Sequence, residues 1–84
     1  MYTIIITSSA EKDLWRLDRA VKNRVTVAIL AFADDPRPAG CIKIKSEPGA
    51  WRVRVGEYRV AYIIDDQTKT VTVIRVGTRG GFYS

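Results

Sequence analysis

Residues 51–62, Trp-Arg-Val-Arg-Val-Gly-Glu-Tyr-Arg-Val-Ala-Tyr, decide the fold. Trp51, Val53 and Val55 alternate with Arg52 and Arg54, the period-two pattern of a strand with one buried face. Gly56-Glu57 then interrupts the alternation as a two-residue loop with glycine first, which suits a type II′ hairpin because the first central residue of that turn needs φ > 0. A loop of this length sets Val55 opposite Tyr58, Arg54 opposite Arg59, Val53 opposite Val60 and Arg52 opposite Ala61. Directly opposed residues share a face. Arg52, Arg54 and Arg59 therefore project from one side of the sheet, while Trp51, Val53, Val55, Tyr58, Val60 and Tyr62 supply the side that helices should cover.

Working outward, Ile42 and Ile44 alternate with Lys43 and Lys45 ahead of a Pro48-Gly49 turn, giving a further strand. Beyond the hairpin, Asp65 to Thr68 reads as a turn, Lys69 to Val76 as the next strand, and Gly77 as the opening of a short tail ending at Ser84. On the N-terminal side, the β-branched run at residues 2–6 predicts a short strand. Ser8 with Glu11 three positions on matches a capping box, and Ala10, Leu14 and Leu17 recur at helical spacing, so a first helix is expected to about Arg19. Val21, Val25, Ala28, Ile29 and Phe32 mark a second helix, which Asp34-Asp35-Pro36-Arg37-Pro38 stops because two prolines forbid continuation. The order is β-α-α-β-β-β(-β): an α+β domain with a two-helix hairpin packed on one face of a small, mainly antiparallel sheet.

All 84 residues are expected to form a single domain, residues 1–84, long enough to close one core but leaving little room for a large cofactor cavity. There is no histidine and only one cysteine, Cys41. That removes the usual zinc ligands, the histidine general bases and every Ser–His or Cys–His pair. No GxGxxG or GxxxxGK[ST] sequence points to a nucleotide cofactor, and the expected cofactors are none. With no apolar run long enough for a membrane span and no secretory signal, no membrane partner is expected and a reducing cytoplasm is the default location. Trp15 and Trp51 read as packing residues, Cys41 as a small filler, and Asp65-Asp66 as a turn signal.

Fourteen basic residues against nine acidic ones give a net charge of +5, distributed unevenly. Residues 1–36 carry five of each sign, whereas residues 37–84 carry nine basic and four acidic groups. The excess lies in the half that holds the arginine hairpin, as a polyanionic partner would require, although a solvated basic strand face with a frayed tail gives the same composition. Arginines opposed on one sheet face repel, and a guanidinium fork binds two phosphate oxygens at once, so a phosphodiester is the natural complement. The tail puts Arg79 and Tyr83 within reach of the rim of that face, and an aromatic beside cations can stack on a base. Lys43 and Lys45 read either as an edge that resists pairing with another sheet or as a phosphate-steering pair.

The hairpin segment, followed by Val73-Ile-Arg-Val-Gly-Thr-Arg and then Phe82-Tyr83, resembles the RelE/ParE superfamily of bacterial toxins from type II toxin–antitoxin operons. The resemblance covers nearly the whole chain, and it is stronger to the RelE branch, whose members are ribosome-dependent endoribonucleases that cut mRNA in the ribosomal A site. It implies a metal-independent attack of the ribose 2′-hydroxyl on the adjacent phosphate. By position, Arg52 and Arg54 fall on that branch's basic pair, Arg59 on its central arginine, Arg79 on the arginine after the strand, and Tyr83 on the tail aromatic. Lys43 and Lys45 fall in its RNA- and ribosome-facing segment. Thr78, Gly80 and Gly81 stand where some relatives carry histidine and further charges. The implied catalytic set is Arg59, Arg79, Tyr83, Arg52 and Arg54; the implied RNA-binding set is Lys43, Lys45, Arg52 and Arg54. A guanidinium keeps its proton far above neutral pH, so the arginines neutralise and position, and the general base is left open between Tyr83 and a ribosomal group or water. The implied partners are the ribosome, mRNA and a cognate antitoxin whose acidic or amphipathic segment wraps the toxin. Two other classes share these features: a ParE-like poison of DNA gyrase, and a non-enzymatic RNA-binding module.

Overall fold

The computed structural model describes residues 1–78. Along the chain run β1 (Thr3–Ile6), α1 (Ser8–Trp15), α2 (Arg19–Ala31), β2 (Ile42–Lys43), β3 (Ala50–Val55), β4 (Tyr58–Asp65) and β5 (Thr70–Thr78). The strands form one sheet in the order β1-β5-β4-β3-β2. Among the described residues only the β1–β5 pair is parallel, as the chain must cross from one edge to the other through the two helices. The expected α+β architecture is present. No helix among the described residues is long and apolar enough to cross a membrane.

All four pairings expected across the hairpin are found. Gly56 has φ +62°, and Lys69 is the only non-glycine residue with positive φ among those described, so Glu57 keeps a negative φ as a II′ turn requires.

The helices start and stop elsewhere than expected. Thr7, not Ser8, is the N-cap of α1: its backbone is extended and its hydroxyl accepts from the Ala10 amide at 3.2 Å. The first helix stops at Trp15, not near Arg19, because Asp18 caps α2, its carboxylate accepting from the Val21 amide at 3.0 Å. Leu17 thus packs against the core from the inter-helix turn. At the other end, β5 runs through Gly77 to Thr78, so Gly77 does not open the tail.

Ala10, Leu14, Val25, Ile29 and Phe32 from the helices meet Val53, Val60, Tyr62, Ile64, Val71, Val73 and Val76 from one face of the sheet. At its centre Tyr62 is fully buried, stacked on Phe32 with ring centroids 4.1 Å apart, and its hydroxyl donates to the Pro36 carbonyl at 2.9 Å. That bond satisfies a buried phenol and holds the proline break against the sheet. Burial, with lesser contributions that include Cys41 nearby, pushes the Tyr62 pKa well up, so the phenol stays a donor. The break is held a second time by Arg37, whose guanidinium pairs with Asp66 at 2.9 Å while the Tyr2 hydroxyl donates to the same carboxylate at 2.6 Å. These two donors lower the Asp66 pKa.

Trp51 packs against this core, as expected of it, and Cys41 is half-buried beside it. Trp15 does not: as the last residue of α1 it is 72% exposed, with the Lys22 ammonium 4.0 Å from its ring centre.

Candidate functional site

Period-two alternation carries Arg52, Arg54 and Arg59 to the face of the sheet that the helices leave uncovered. There, Arg54 stands directly opposite Arg59, and Arg52 opposite Ala61. The Arg54 Nε donates to the Gly56 carbonyl at 2.9 Å, which ties one guanidinium to the hairpin turn and draws it along the strand from its neighbour. Among the described residues the salt bridges are Arg37–Asp66 and Arg75–Asp13, and neither involves these three arginines. Opposed like charges without counter-ions destabilise the sheet modestly and leave this end of it with a positive potential.

The helix-free face is not cationic throughout. Its middle carries a second small core, Ile44, Ala50 and Ala61, with Ile63 and Ile74 packed against it, over which the chain from β2 folds. The arginines occupy the hairpin end. At that end lies a cleft of about 210 Å³ lined by Gly40, Ile42, Arg52, Arg54 and Arg59, together with Val53, whose side chain belongs to the helix-side core. Small-molecule sites run to roughly 300–1,000 Å³, so this volume suits one phosphate with part of its sugar or base better than a large cofactor.

The other described basic residues of the C-terminal half do not line this cleft. Arg37 is engaged with Asp66 and lies 5.3 Å from the Trp51 ring. A β-bulge shifts the register at Ala61/Tyr62, which brings Val76 into the helix-side core and sets Arg75 opposite Ala61 on the arginine side, where its Nε lies 3.9 Å from Asp13 on α1. Asp13 also accepts from the Val76 amide at 2.9 Å, replacing the strand partner lost where β1 ends opposite Val73. The signal for the bulge was in the spacing, since Val71 and Val73 are followed by Val76 and not by an apolar residue at 75. Lys43 pairs with Trp51, which sets it at the sheet edge on the helix side, opposite to the arginines; Lys45 lies in the turn after β2. The residue of β2 on the arginine side is Ile42, through its pairing with Arg52. Arg79 and Tyr83 lie outside the described residues.

A family model for the ParE toxin of type II toxin–antitoxin systems, parDE, matches residues 4–81. Toxin RelG of Mycobacterium tuberculosis is 32% identical over 98% of this chain and 95% of its own length. Among solved structures, the toxin–antitoxin complex RelBE2 of the same organism superposes with a TM-score of 0.82 at 30% identity, covering 93% of this chain and 98% of that one. The archaeal RelE–RelB complex of Pyrococcus horikoshii gives 0.83 at 25% identity, covering 95% and 97%. A family model over most of the chain and relatives matched along nearly their whole length leave one conclusion: the chain belongs to the RelE/ParE superfamily of toxins from type II toxin–antitoxin systems.

Proposed function

We propose that this toxin is an endoribonuclease that acts on mRNA in the ribosomal A site and so stops translation. The observation that carries the reading is the convergence of Arg52, Arg54 and Arg59 on one cleft with no carboxylate paired to them among the described residues. In the reaction the ribose 2′-oxygen attacks the adjacent phosphorus as its proton leaves. The P–O5′ bond breaks and the 5′-oxygen takes up a proton, giving a 2′,3′-cyclic phosphate and a 5′-hydroxyl. The pentacoordinate phosphorane gathers extra negative charge on its oxygens, and fixed cations stabilise it more than they stabilise the ground state. Arg59, with Arg79, is assigned to that charge. Arg52 and Arg54 hold the flanking phosphates, and Tyr83 stacks on a base or handles the proton. Lys43 and Lys45, at the edge and in the turn, steer the polyanion in from outside the cleft. A chain without histidine can run this chemistry because cation placement and the 2′-hydroxyl carry most of it.

The partner proposed for the resting toxin is an antitoxin with an acidic or amphipathic segment that covers the arginine face. RelBE2 was solved as a toxin–antitoxin complex and the archaeal RelE as a complex with RelB, which supports an antitoxin as the partner. The proposed setting is the cytoplasm, where ribosomes and messages are.

One observation favours a second reading, poisoning of DNA gyrase: the matching family model is the one for parDE toxins. Primer extension on messages translated in the presence of the toxin separates the two. Breaks within codons that need translating ribosomes are expected. Intact messages accompanied by gyrase-linked DNA breaks would replace this reading with the second.

A further inference from the structure

The arginine cleft has two unlike walls. Guanidinium groups form one; Ile42 and Gly40 form the other. Pairing with Arg52 sends the Ile42 side chain out of β2 on the arginine side, yet it buries little there. Ile44, two residues on and on the same face, is 3% exposed in the small second core, whereas Ile42 is 53% exposed. Next to it Gly40 has φ +90° and open space on the side where a β-carbon would stand. Packing accounts for Ile44 and leaves Ile42 unexplained.

A base-free sugar phosphate would use only the guanidinium wall. A nucleotide also brings a flat, weakly hydrated base, and single-stranded RNA is held by covering such bases with apolar or aromatic side chains. Trp51 cannot serve, because it shares the helix-side face. We propose that Ile42 is the base-contacting residue of this cleft, packing its exposed methyl groups on the ring of the nucleobase next to the phosphate held by Arg52 and Arg59. The inference rests on the RNA reading above. Contact through the ring face tells a base from no base and favours the larger purine ring, without reading hydrogen-bonding edges.

The test is an NMR titration of the full-length toxin with two probes, a 2′-O-methyl trinucleotide that cannot be cleaved and ribose 5-phosphate. It uses the natural chain, Ile42→Ala, Ile42→Leu and Arg52→Ala, with the amide spectrum reporting the fold of each. Ile42→Ala should weaken the trinucleotide about tenfold, from the loss of roughly three partly covered carbons, and leave ribose 5-phosphate unchanged. Ile42→Leu should restore binding to within about twofold, and Arg52→Ala should weaken both probes. Unchanged trinucleotide binding by Ile42→Ala, or equal losses of both probes, overturns the assignment while the RNA reading stands. If the natural chain binds neither probe, or Arg52→Ala alters neither, the assignment of Ile42 falls, and primer extension on translated messages alone decides the RNA reading.

Discussion

The two faces of β3 and β4 are made by alternate residues of the same strands, yet they serve opposite ends. On the helix side Val53, Val60 and Tyr62 are buried with Phe32 in the main core. On the other side Arg52, Arg54 and Arg59 stay partly or fully open to solvent around a small cleft. A packed core tolerates no vacancy, whereas a repulsive arginine cluster adds nothing to folding and leaves its charge unneutralised. On the proposed function, stability and chemistry in this toxin divide within single dipeptides, and each prediction below breaks or sharpens that division.

The largest effect belongs to the core. Phe32→Ala removes the ring stacked on Tyr62 and should destabilise the protein by about 3–5 kcal/mol in a urea melt, a large share of the stability of so small a domain. Cleavage per folded molecule should be preserved, and a specific loss of activity in the folded fraction would break the division. Next comes the tail. Deleting Tyr83 and Ser84 should leave the melting temperature unchanged while most A-site cleavage disappears; full activity in the truncated toxin would remove Tyr83 from the mechanism. Gly56→Ala tests the joint between the faces. Alanine at φ +62° is strained, and its methyl group would press on the Arg24 guanidinium. About 1–2 kcal/mol of stability should be lost, with a fall in cleavage smaller than that of Arg59→Ala.

The smallest effect concerns the exposed Arg37–Asp66–Tyr2 cluster, outside the arginine cleft. Arg37 and Tyr2 hold the Asp66 carboxyl below its ordinary pKa, so the unfolded chain takes up its proton first on acidification. The contribution is therefore fully present above about pH 4 and fades as pH drops through the folded-state pKa. Melting temperatures followed from pH 6 to pH 2.5 should show a slightly shallower acid decline for Asp66→Asn than for the natural chain. Parallel curves would mean that the cluster is not linked to folding.

How much was legible in the sequence follows from how local each signal is. The hairpin register was readable because Gly56-Glu57 leaves one turn type and thus one pairing. The helix break was misplaced because Asp18 lies in a helical spacing pattern, and only its capping bond to Val21 shows that it begins α2. The Arg37–Asp66 pair spans 29 residues and leaves no periodic trace. Ile42 was hidden for a related reason. Its side of the sheet depends on pairing across the irregular turn after Lys43, whose geometry no two-residue rule sets. The same pairing places Lys43 away from the arginines, although by sequence it stands among the basic residues.

Arg59 and Val60 are neighbours in the chain that face opposite ways, and comparing their alanine variants tests the account most directly. The measurement is single-turnover mRNA cleavage on programmed ribosomes, paired with a thermal melt of each variant. Arg59→Ala should lose about 10²-fold or more in cleavage with its melt unchanged. Val60→Ala should lose about 2 kcal/mol of stability and keep its cleavage per folded molecule. Natural cleavage rates in a folded Arg59→Ala protein would contradict the assignment of chemistry to the arginine face.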